Sequence, residues 1–454
     1  MDGTDASSIA AAVRAGRVSA RAVVDAALDR IERHRTNAVV TVCTVEARAA
    51  AARVDALVAD GDDPGRLAGV PFTVKDTLAT AGARATAGSL VFADHVAIDD
   101  AEVVARLRGA GAVLVGKTNC PEFALQPRTD NRLFGPTLHP RDPQRSPGGS
   151  SGGCAAAVAG GLVPFSIGGD YGGSIRYPAS CTGIYGLRPT YLAVPTEGHV
   201  PDPAVGSPRR RFQTVGPLAR TPRDIGLVFD VIARRTPQDG TAGAVRRAGV
   251  VRGGWPCVAA VVDAVAATSR ALSNAGYEVV DCDVGPFLEA AEVFGAWRAI
   301  DDYADLRALV AGREADLTPH IARLLSTSPT PADVRESFDE ARRAVDALLA
   351  STPIVILPVA RVGVLPLDAT SVEIGGRPEA IDAMQILAPS RAVSLFGLPA
   401  LAIPAGADLD GFPVGVQIVG RAGAEHELIS AAASLRGLSP PFGDAPLDAV
   451  DRDG

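Results

Sequence analysis

SPGGSSGGCAAAVAGGLVPFSIGGDYGGSIR, residues 146–176, holds two glycine-rich loops separated by a short apolar segment. Each loop presents a serine, Ser150 in the first and Ser174 in the second. Glycine loses more conformational freedom on folding than any other residue, so its concentration beside two hydroxyl groups needs a reason. The usual reason is that backbone N–H groups must come close to a ligand. A hydroxyl beside such donors indicates acyl transfer.

The segment between the loops predicts how the two serines meet. Residues 152–161 are rich in alanine and predict a short helix, and residues 162–167 predict a buried strand. Ser150 then stands at the start of the helix, and Ser174 follows the carboxyl end of the strand. Open α/β sheets bind their ligands at that edge.

A lysine is expected at the same edge. Residues 70–75, VPFTVK, form an apolar run that ends in Lys75. Burial at the end of a strand lowers the pKa of a lysine and favours the neutral amine. The three side chains would then form a relay in which Ser174 attacks, Ser150 passes on the proton and Lys75 receives it. The expected oxyanion hole consists of the backbone N–H groups of Tyr171, Gly172, Gly173 and Ser174.

These residues resemble the amidase signature family. The matching motifs occur in order: PFTVKD (71–76), VGKTNCPEFA (115–124), DNRLFGPT (130–137), SPGGSSGG (146–153), GGDYGGSIRYPAS (168–180), GLRPT (186–190), VGPLARTPRDI (215–225) and PVGVQIVG (413–420). The resemblance implies that Lys75 is the catalytic lysine, that Ser150 follows a cis peptide bond and that Ser174 is the acylated nucleophile. It also implies that Asp170 and Arg176 support the nucleophile loop, with Ser151 beside them.

Several positions leave alternatives open. Asp170 and Arg176 are either a buried structural pair or a site for a substrate carboxylate. His199 either reaches the substrate or is an ordinary surface or core histidine. Family members often carry Ser or Thr where this chain has Gly169, and a small or aliphatic residue where it has Tyr171. That phenol would narrow the acyl pocket or alter the oxyanion loop, and we expect Gln126 and Tyr171 to contact the substrate.

Composition excludes several classes of protein. The 454 residues carry a formal net charge of −8, which argues against a nucleic-acid partner. The six cysteines show no CxxC spacing and predict reduced thiols. The sequence shows neither a signal peptide nor an apolar stretch of membrane-spanning length, so we expect a cytoplasmic protein without a membrane partner. We expect no metal and no organic cofactor; a homodimer is left open.

The alternation of predicted strands and helices indicates an α/β fold. We expect one large domain over residues 1–454, with a central mixed, mostly parallel sheet covered by helices on both faces. The expected parts are a helical segment 1–62, a catalytic core 63–235, a variable and mainly helical segment 240–350, and a C-terminal part 351–435 that rejoins the sheet.

Three helix starts are expected from capping signals. Ser19 is expected to cap a helix that runs to Arg33. Thr221, three residues before Asp224, is expected to open another helix. Asp99 with Glu102 resembles a capping box.

The predicted function is an amide hydrolase that cleaves a small carboxylic amide to an acid and ammonia or an amine. The route is an acyl-serine intermediate on Ser174. Two alternatives stay open within the resemblance. One is the glutamine-hydrolysing subunit of a tRNA-dependent amidotransferase, and the other is a non-hydrolytic protein of the same fold in specialised metabolism.

Overall fold

The computed structural model describes residues 5–234, 246–300, 303–326, 334–381, 383–435 and 438. The strands are β1 Val39–Val42, β2 Pro71–Lys75, β3 Val113–Thr118, β4 Phe165–Asp170, β5 Tyr185–Arg188, β6 Thr214–Ala219, β7 Arg247–Val251, β8 Glu278–Cys282, β9 Ile354–Pro358, β10 Ser371–Ile374, β11 Arg377–Ala380, β12 Ala400–Ala407 and β13 Pro413–Gly420.

The α-helices cover the stretches between these strands. They are α1 Ala6–Arg14, α2 Ala20–Arg33, α3 Thr44–Asp60, α4 Glu102–Gly109, α5 Gly152–Ala159, α6 Arg176–Thr182, α7 Pro208–Phe212, α8 Pro222–Ile232, α9 Ala259–Asn274, α10 Gly285–Ile300, α11 Ala304–Val310, α12 Pro319–Ser326, α13 Arg335–Ser351, α14 Ala383–Ile386, α15 Ala388–Leu395 and α16 Glu425–Ser434. None of the described helices combines the length and apolar character needed to cross a bilayer.

One sheet organises the molecule. Its strand order is β1-β3-β2-β4-β6-β5-β12-β13-β9-β7-β8, and β10 pairs with β11 as a separate ribbon. The single α/β domain with a mixed sheet is confirmed. The expectation of mostly parallel strands needs correction, because four of the pairings described in the large sheet are parallel and six are antiparallel. Three of the antiparallel pairs involve the later strands β12 and β13, which join the sheet between β5 and β9, and the other three lie within residues 39–219.

The central strands are buried on both faces. Every residue of β2, β3, β4, β6, β9 and β13 is buried. Successive side chains of a strand point to opposite faces, so complete burial means that both faces are covered. This explains why these strands are continuous apolar runs rather than alternating ones.

Stacked rings fix the register that brings the expected catalytic residues together. Phe72 on β2 lies opposite Phe165 on β4, and their rings stack at 5.4 Å. The two strands are parallel, so the end of β2 at Lys75 lies beside the glycines that follow Ile167 on β4. A shift of one residue would turn the Lys75 side chain to the other face of the sheet.

Helix starts followed the sequence signals in two cases of three. Ser19 caps α2 by accepting a hydrogen bond from the Ala22 N–H, and Thr221 caps α8 by accepting one from the Asp224 N–H. The predicted capping box at Asp99 and Glu102 is wrong. The helix begins at Glu102 itself, so that residue cannot reach back as the third residue of a helix capped at Asp99.

The variable segment contributes more than helices. Residues 240–350 were expected to be mainly helical, and α9 to α13 agree with that expectation. The segment also supplies β7 and β8, which extend the main sheet beyond β9 as parallel strands. The chain therefore returns to the main sheet with β7, before residue 351.

Candidate active site

Lys75 ends β2 with its side chain fully enclosed. Only 1% of the residue is exposed, and its Nζ lies 2.6 Å from Ser150 Oγ. Burial lowers the pKa of the amine, and within the described chain no carboxylate forms an ion pair with it to offset that effect. The amine is therefore biased toward its neutral form, which can accept a proton from a hydroxyl.

The first glycine loop presents Ser150 to that amine. The peptide bond between Gly149 and Ser150 is cis, as the resemblance implies, and Ser150 is 1% exposed. Helix α5 starts two residues later, and its beginning packs tightly against neighbouring backbone. A Cβ at Gly153 would lie 2.5 Å from the backbone N and O of Asn119, so only glycine fits there.

Ser151 ties the two glycine loops together. Its N–H donates to the Ser174 carbonyl at 3.1 Å, and its Oγ donates to the Gly169 carbonyl at 3.2 Å. Ser174 consequently lines the same pocket as Lys75 and Ser150. No hydrogen bond joins the hydroxyls of Ser150 and Ser174 in the described chain. The relay through both hydroxyls stays a prediction.

The expected oxyanion hole loses one donor. The N–H of Gly173 donates to Asp170 Oδ1 at 2.8 Å, so it is not available to a substrate oxygen. The N–H groups of Gly172 and Ser174 donate to none of the described residues. Tyr171 lies on the same loop, and its ring packs 5.8 Å from Phe212 and 5.3 Å from Phe294.

Asp170 and Arg176 form a closed structural pair rather than a site for a substrate carboxylate. Arg176 Nε and Nη2 donate to the two Asp170 oxygens at 3.0 and 2.9 Å, and neither side chain is exposed. Arg188 Nη1 lies 3.3 Å from Asp170 Oδ1. Burial alone would raise the pKa of Asp170, but the two guanidinium groups outweigh it and hold that pKa far below its usual range.

Arg176 also forms hydrogen bonds with two other buried side chains. Arg176 Nη1 donates to Gln417 Oε1 at 2.6 Å, and Nη2 donates to Ser394 Oγ at 2.8 Å. All three nitrogens of the Arg176 guanidinium therefore have a hydrogen-bond partner, which fixes Asp170 in turn. The Asp170 carboxylate also accepts from the Ile175 N–H at 3.1 Å. The nucleophile loop is thus folded around a fixed anion.

A small pocket opens beside the serines. Its lining includes the three expected catalytic residues and Tyr171, and then Phe123, Leu125, Val200, Pro201, His199, Gln213 and Arg209. In the stretch that follows Phe123, the last residue to line the pocket is Leu125, so the expected substrate contact Gln126 lies outside the lining. His199 lines the pocket, and its contact with a substrate stays a prediction.

Sequence reasoning missed Gln213 altogether. It precedes the VGPLARTPRDI motif and is the residue before β6 begins at Thr214. Because β6 pairs antiparallel with β4, with Thr214 opposite Asp170, its start lies next to the nucleophile loop. The only available signal was this position directly before a recognised motif.

The outer wall of the pocket is held by the variable segment. Glu122, which precedes the wall residue Phe123, is 2% exposed. One carboxylate oxygen accepts from Ser89 Oγ at 2.8 Å, and the other accepts from the N–H and Oγ1 of Thr318, both at 2.7 Å. Arg209, also on the wall, forms an ion pair with Asp305 of α11.

Comparisons with known proteins identify relatives of this chain. A family model described as Amidase matches residues 22–429. A glutamyl-tRNA(Gln) amidotransferase subunit of Koribacter versatilis is 31% identical over 482 residues, which cover 93% of this chain and 96% of that protein.

Solved structures show the same similarity. A crystal structure of an amidase superposes with a TM-score of 0.85 at 28% identity, covering 95% of this chain and 98% of that one. A bacterial aryl acylamidase of the amidase signature family gives a TM-score of 0.82 at 28% identity, with 96% of both chains covered. The glycine loops, the buried lysine and these matches lead to one conclusion: this chain belongs to the amidase signature family.

Proposed function

We propose that this chain hydrolyses a small carboxylic amide through an acyl-serine intermediate on Ser174. Membership of the family makes it an amide-cleaving hydrolase. The observation that carries the assignment of residues is the contact of 2.6 Å between the buried Lys75 amine and Ser150 Oγ. A lysine enclosed in this way, with no carboxylate ion pair among the described residues, is poised to exchange a proton with that hydroxyl.

The proposed reaction begins with proton transfer. Lys75 Nζ takes the hydroxyl proton of Ser150, Ser150 takes that of Ser174, and Ser174 Oγ forms a bond to the amide carbon. The carbonyl electron pair moves onto oxygen, where the N–H groups of Gly172 and Ser174 would receive it. The C–N bond then breaks as the proton returns through Ser150 to the leaving nitrogen. Water attacks the acyl group by the same route, releasing the acid and restoring Ser174.

Labelling of the nucleophile tests this assignment directly. A fluorophosphonate should modify Ser174, and mass mapping should place the adduct on the peptide that contains it. Ser174→Ala should abolish both labelling and amide turnover, while Ser273→Ala, on an exposed position of α9, should leave both unchanged. An adduct on another residue, or turnover by Ser174→Ala, would contradict the proposal.

A second candidate is glutamine hydrolysis within an amidotransferase. The extent of similarity to the Koribacter versatilis protein favours it, because the match covers nearly all of both chains. Free glutamine carries an ammonium group that needs an acidic partner. No aspartate or glutamate lines the described pocket, and Arg209, a cation on its wall, is already paired with Asp305. The pocket therefore supports an amide without a zwitterionic tail.

The two candidates separate in a simple assay. The isolated chain should release ammonia from short aliphatic or aryl amides such as butyramide and benzamide, and much less from glutamine. A clear preference for glutamine, especially together with a second protein that co-purifies, would favour the second candidate. A chain that forms no fluorophosphonate adduct and cleaves neither class would indicate the non-hydrolytic alternative.

A further inference from the structure

A histidine and a glutamine form a fixed pair in the wall of the pocket. Gln213 Nε2 lies 3.1 Å from His199 Nε2 and 3.3 Å from the Thr214 carbonyl. His199 Nδ1 lies 2.9 Å from the Thr196 carbonyl. Both side chains line the pocket together with the proposed catalytic residues.

Two backbone carbonyls determine how this pair is oriented. The Thr196 carbonyl can only accept, so His199 Nδ1 carries a hydrogen. Burial lowers the pKa of His199, so the ring stays neutral near pH 7 and Nε2 is an acceptor. The Thr214 carbonyl and His199 Nε2 therefore both require a donor from Gln213, and its NH₂ group supplies both hydrogens.

This arrangement leaves the amide oxygen of Gln213 without a hydrogen-bond donor among the described residues. Its Oε1 accepts a hydrogen bond from none of the described residues, although the side chain lines the pocket. A polar acceptor held in a partly buried wall without a partner is suited to receive a donor from a ligand. The wall around it is apolar, with Val200 and Pro201 next to His199.

Gly169 makes room for the pair. A Cβ at this position would lie 2.6 Å from Gln213 Nε2 and 3.3 Å from His199 Nε2. A larger side chain at this position would push the glutamine away from the position it occupies. The absence of a side chain at residue 169 and the presence of Gln213 and His199 are thus parts of one arrangement.

The histidine of this pair lies on a loop that is bonded to the loop after β2, close to Lys75. The loop that carries His199 is bonded to the loop that follows Lys75, through Val200 N–H to the Thr77 carbonyl and Ala79 N–H to the Gly198 carbonyl, both at 2.8 Å. In the proposed reaction, the nitrogen receives its proton from Ser150 and Lys75. We take the pair to face the nitrogen, because its histidine is carried by a loop bonded to the loop that follows Lys75.

We infer that Gln213 Oε1 accepts a hydrogen bond from the N–H of the scissile amide, held in place by His199 and by the space at Gly169. This inference rests on the proposed function and specifies its substrate class as primary and secondary amides. The bond would orient the nitrogen lone pair toward Ser150. It would also strengthen in the transition state, because the N–H becomes more acidic as the nitrogen accepts a proton.

The test compares an amide with the ester that lacks only the N–H. The substrates are the N-methyl amide and the methyl ester of one acyl group, chosen from butyryl, hexanoyl and benzoyl by wild-type turnover. Both form the same acyl-enzyme, so a difference in kcat/KM arises in or before acylation. Gln213→Leu should lower kcat/KM for the amide about 3- to 10-fold and change it less than about twofold for the ester.

Two further variants guard against an indirect effect. Gly169→Ala should reproduce the selective loss on the amide, because its methyl group displaces Gln213. Gln144→Leu, on an exposed loop, should change neither substrate. The rate of fluorophosphonate labelling at Ser174 should be preserved in every variant, since that reaction involves no scissile N–H.

The outcomes separate the inference from the proposed function. Equal losses on amide and ester in Gln213→Leu, or no loss on either, would overturn the role of Gln213 and leave the hydrolase assignment standing. A wild-type chain that cleaves neither substrate and is not labelled at Ser174 would overturn the proposed function, and the inference with it.

Discussion

Replacing Asp170 with asparagine removes one negative charge from a fully buried cluster. In the folded chain, that carboxylate accepts two hydrogen bonds from Arg176, at 3.0 and 2.9 Å, and lies 3.3 Å from Arg188. It also accepts hydrogen bonds from the backbone N–H groups of Gly173 and Ile175. Asparagine keeps the size of the side chain but offers one acceptor oxygen instead of two.

The size of the effect follows from the charges that remain. Arg176 and Arg188 would become two cations without a counter-ion, each with a side chain that is not exposed. Breaking a buried pair by removing one partner destabilises a protein by about 3–5 kcal/mol. The lost carboxylate oxygen also leaves a nearby backbone N–H without its acceptor. We therefore expect Asp170→Asn to lose at least about 3 kcal/mol of folding free energy.

Urea denaturation followed by circular dichroism measures this loss, and fluorophosphonate labelling measures its consequence for Ser174. Labelling should slow, because Asp170 holds the loop in which Ser174 lies. Asp410→Asn is the matched control: its side chain is 66% exposed and pairs with Arg145 at 3.3 Å, so it should change stability by less than about 0.5 kcal/mol. An Asp170→Asn variant as stable as the wild type would refute the view that this anion organises the loop.

Three further predictions concern catalysis, specificity and acid stability. Lys75→Met should lower kcat/KM about 10²–10⁴-fold. In the wild type, kcat/KM should fall with decreasing pH as Lys75 becomes protonated. This fall should occur below the ordinary lysine pKa of 10.5, because burial lowers the pKa of Lys75. The same acid limb in Lys75→Met would exclude Lys75 as the base. Tyr171→Ala should raise the ratio of kcat/KM for benzamide over acetamide about tenfold, because the ring narrows the pocket, and an unchanged ratio would contradict that role. Burial lowers the pKa of His139 to about 4, so stability should be lost as pH falls from about 6.5 to 4. As the pH falls, the unfolded chain binds the proton before the folded chain does, so the loss of folding free energy should reach about 3 kcal/mol in urea titrations. An unchanged pH dependence of stability in His139→Gln would refute the assignment of this loss to His139.

The catalytic region was predictable because its signals are local. The glycine loops, the helix after Ser150 and the strand before Ser174 lie within 31 consecutive residues, so their order in space follows from their order in sequence. Lys75 came from a second local pattern, an apolar run that ends in a charge. The structure joins the two patterns through the register of β2 against β4.

Other features depended on pairings that no local pattern reveals. Some of the antiparallel pairings join strands that are distant in sequence, as β12 does with β5. The segments β7 and β8 are short, and they sit among helices that dominate the pattern around them. The capture of the Gly173 N–H by Asp170 depends on where one side chain turns within its loop. The role inferred for Gln213 depends on its contact with His199, which lies fourteen residues away across a loop and the short helix α7.

The contacts of Glu122 and Arg209 show that the residues that shape the pocket entrance are supported by a different part of the chain from the residues proposed to carry out the reaction. Glu122, next to the wall residue Phe123, is anchored to Thr318, and Arg209 is anchored to Asp305. The segments that contain α11 and α12 therefore support the entrance, and within the described chain no hydrogen bond or ion pair joins them to Lys75 or Ser150. Libraries for new acyl specificities are therefore best aimed at α11 and α12. Diversity placed there can reshape the entrance while the machinery that breaks the bond is inherited unchanged.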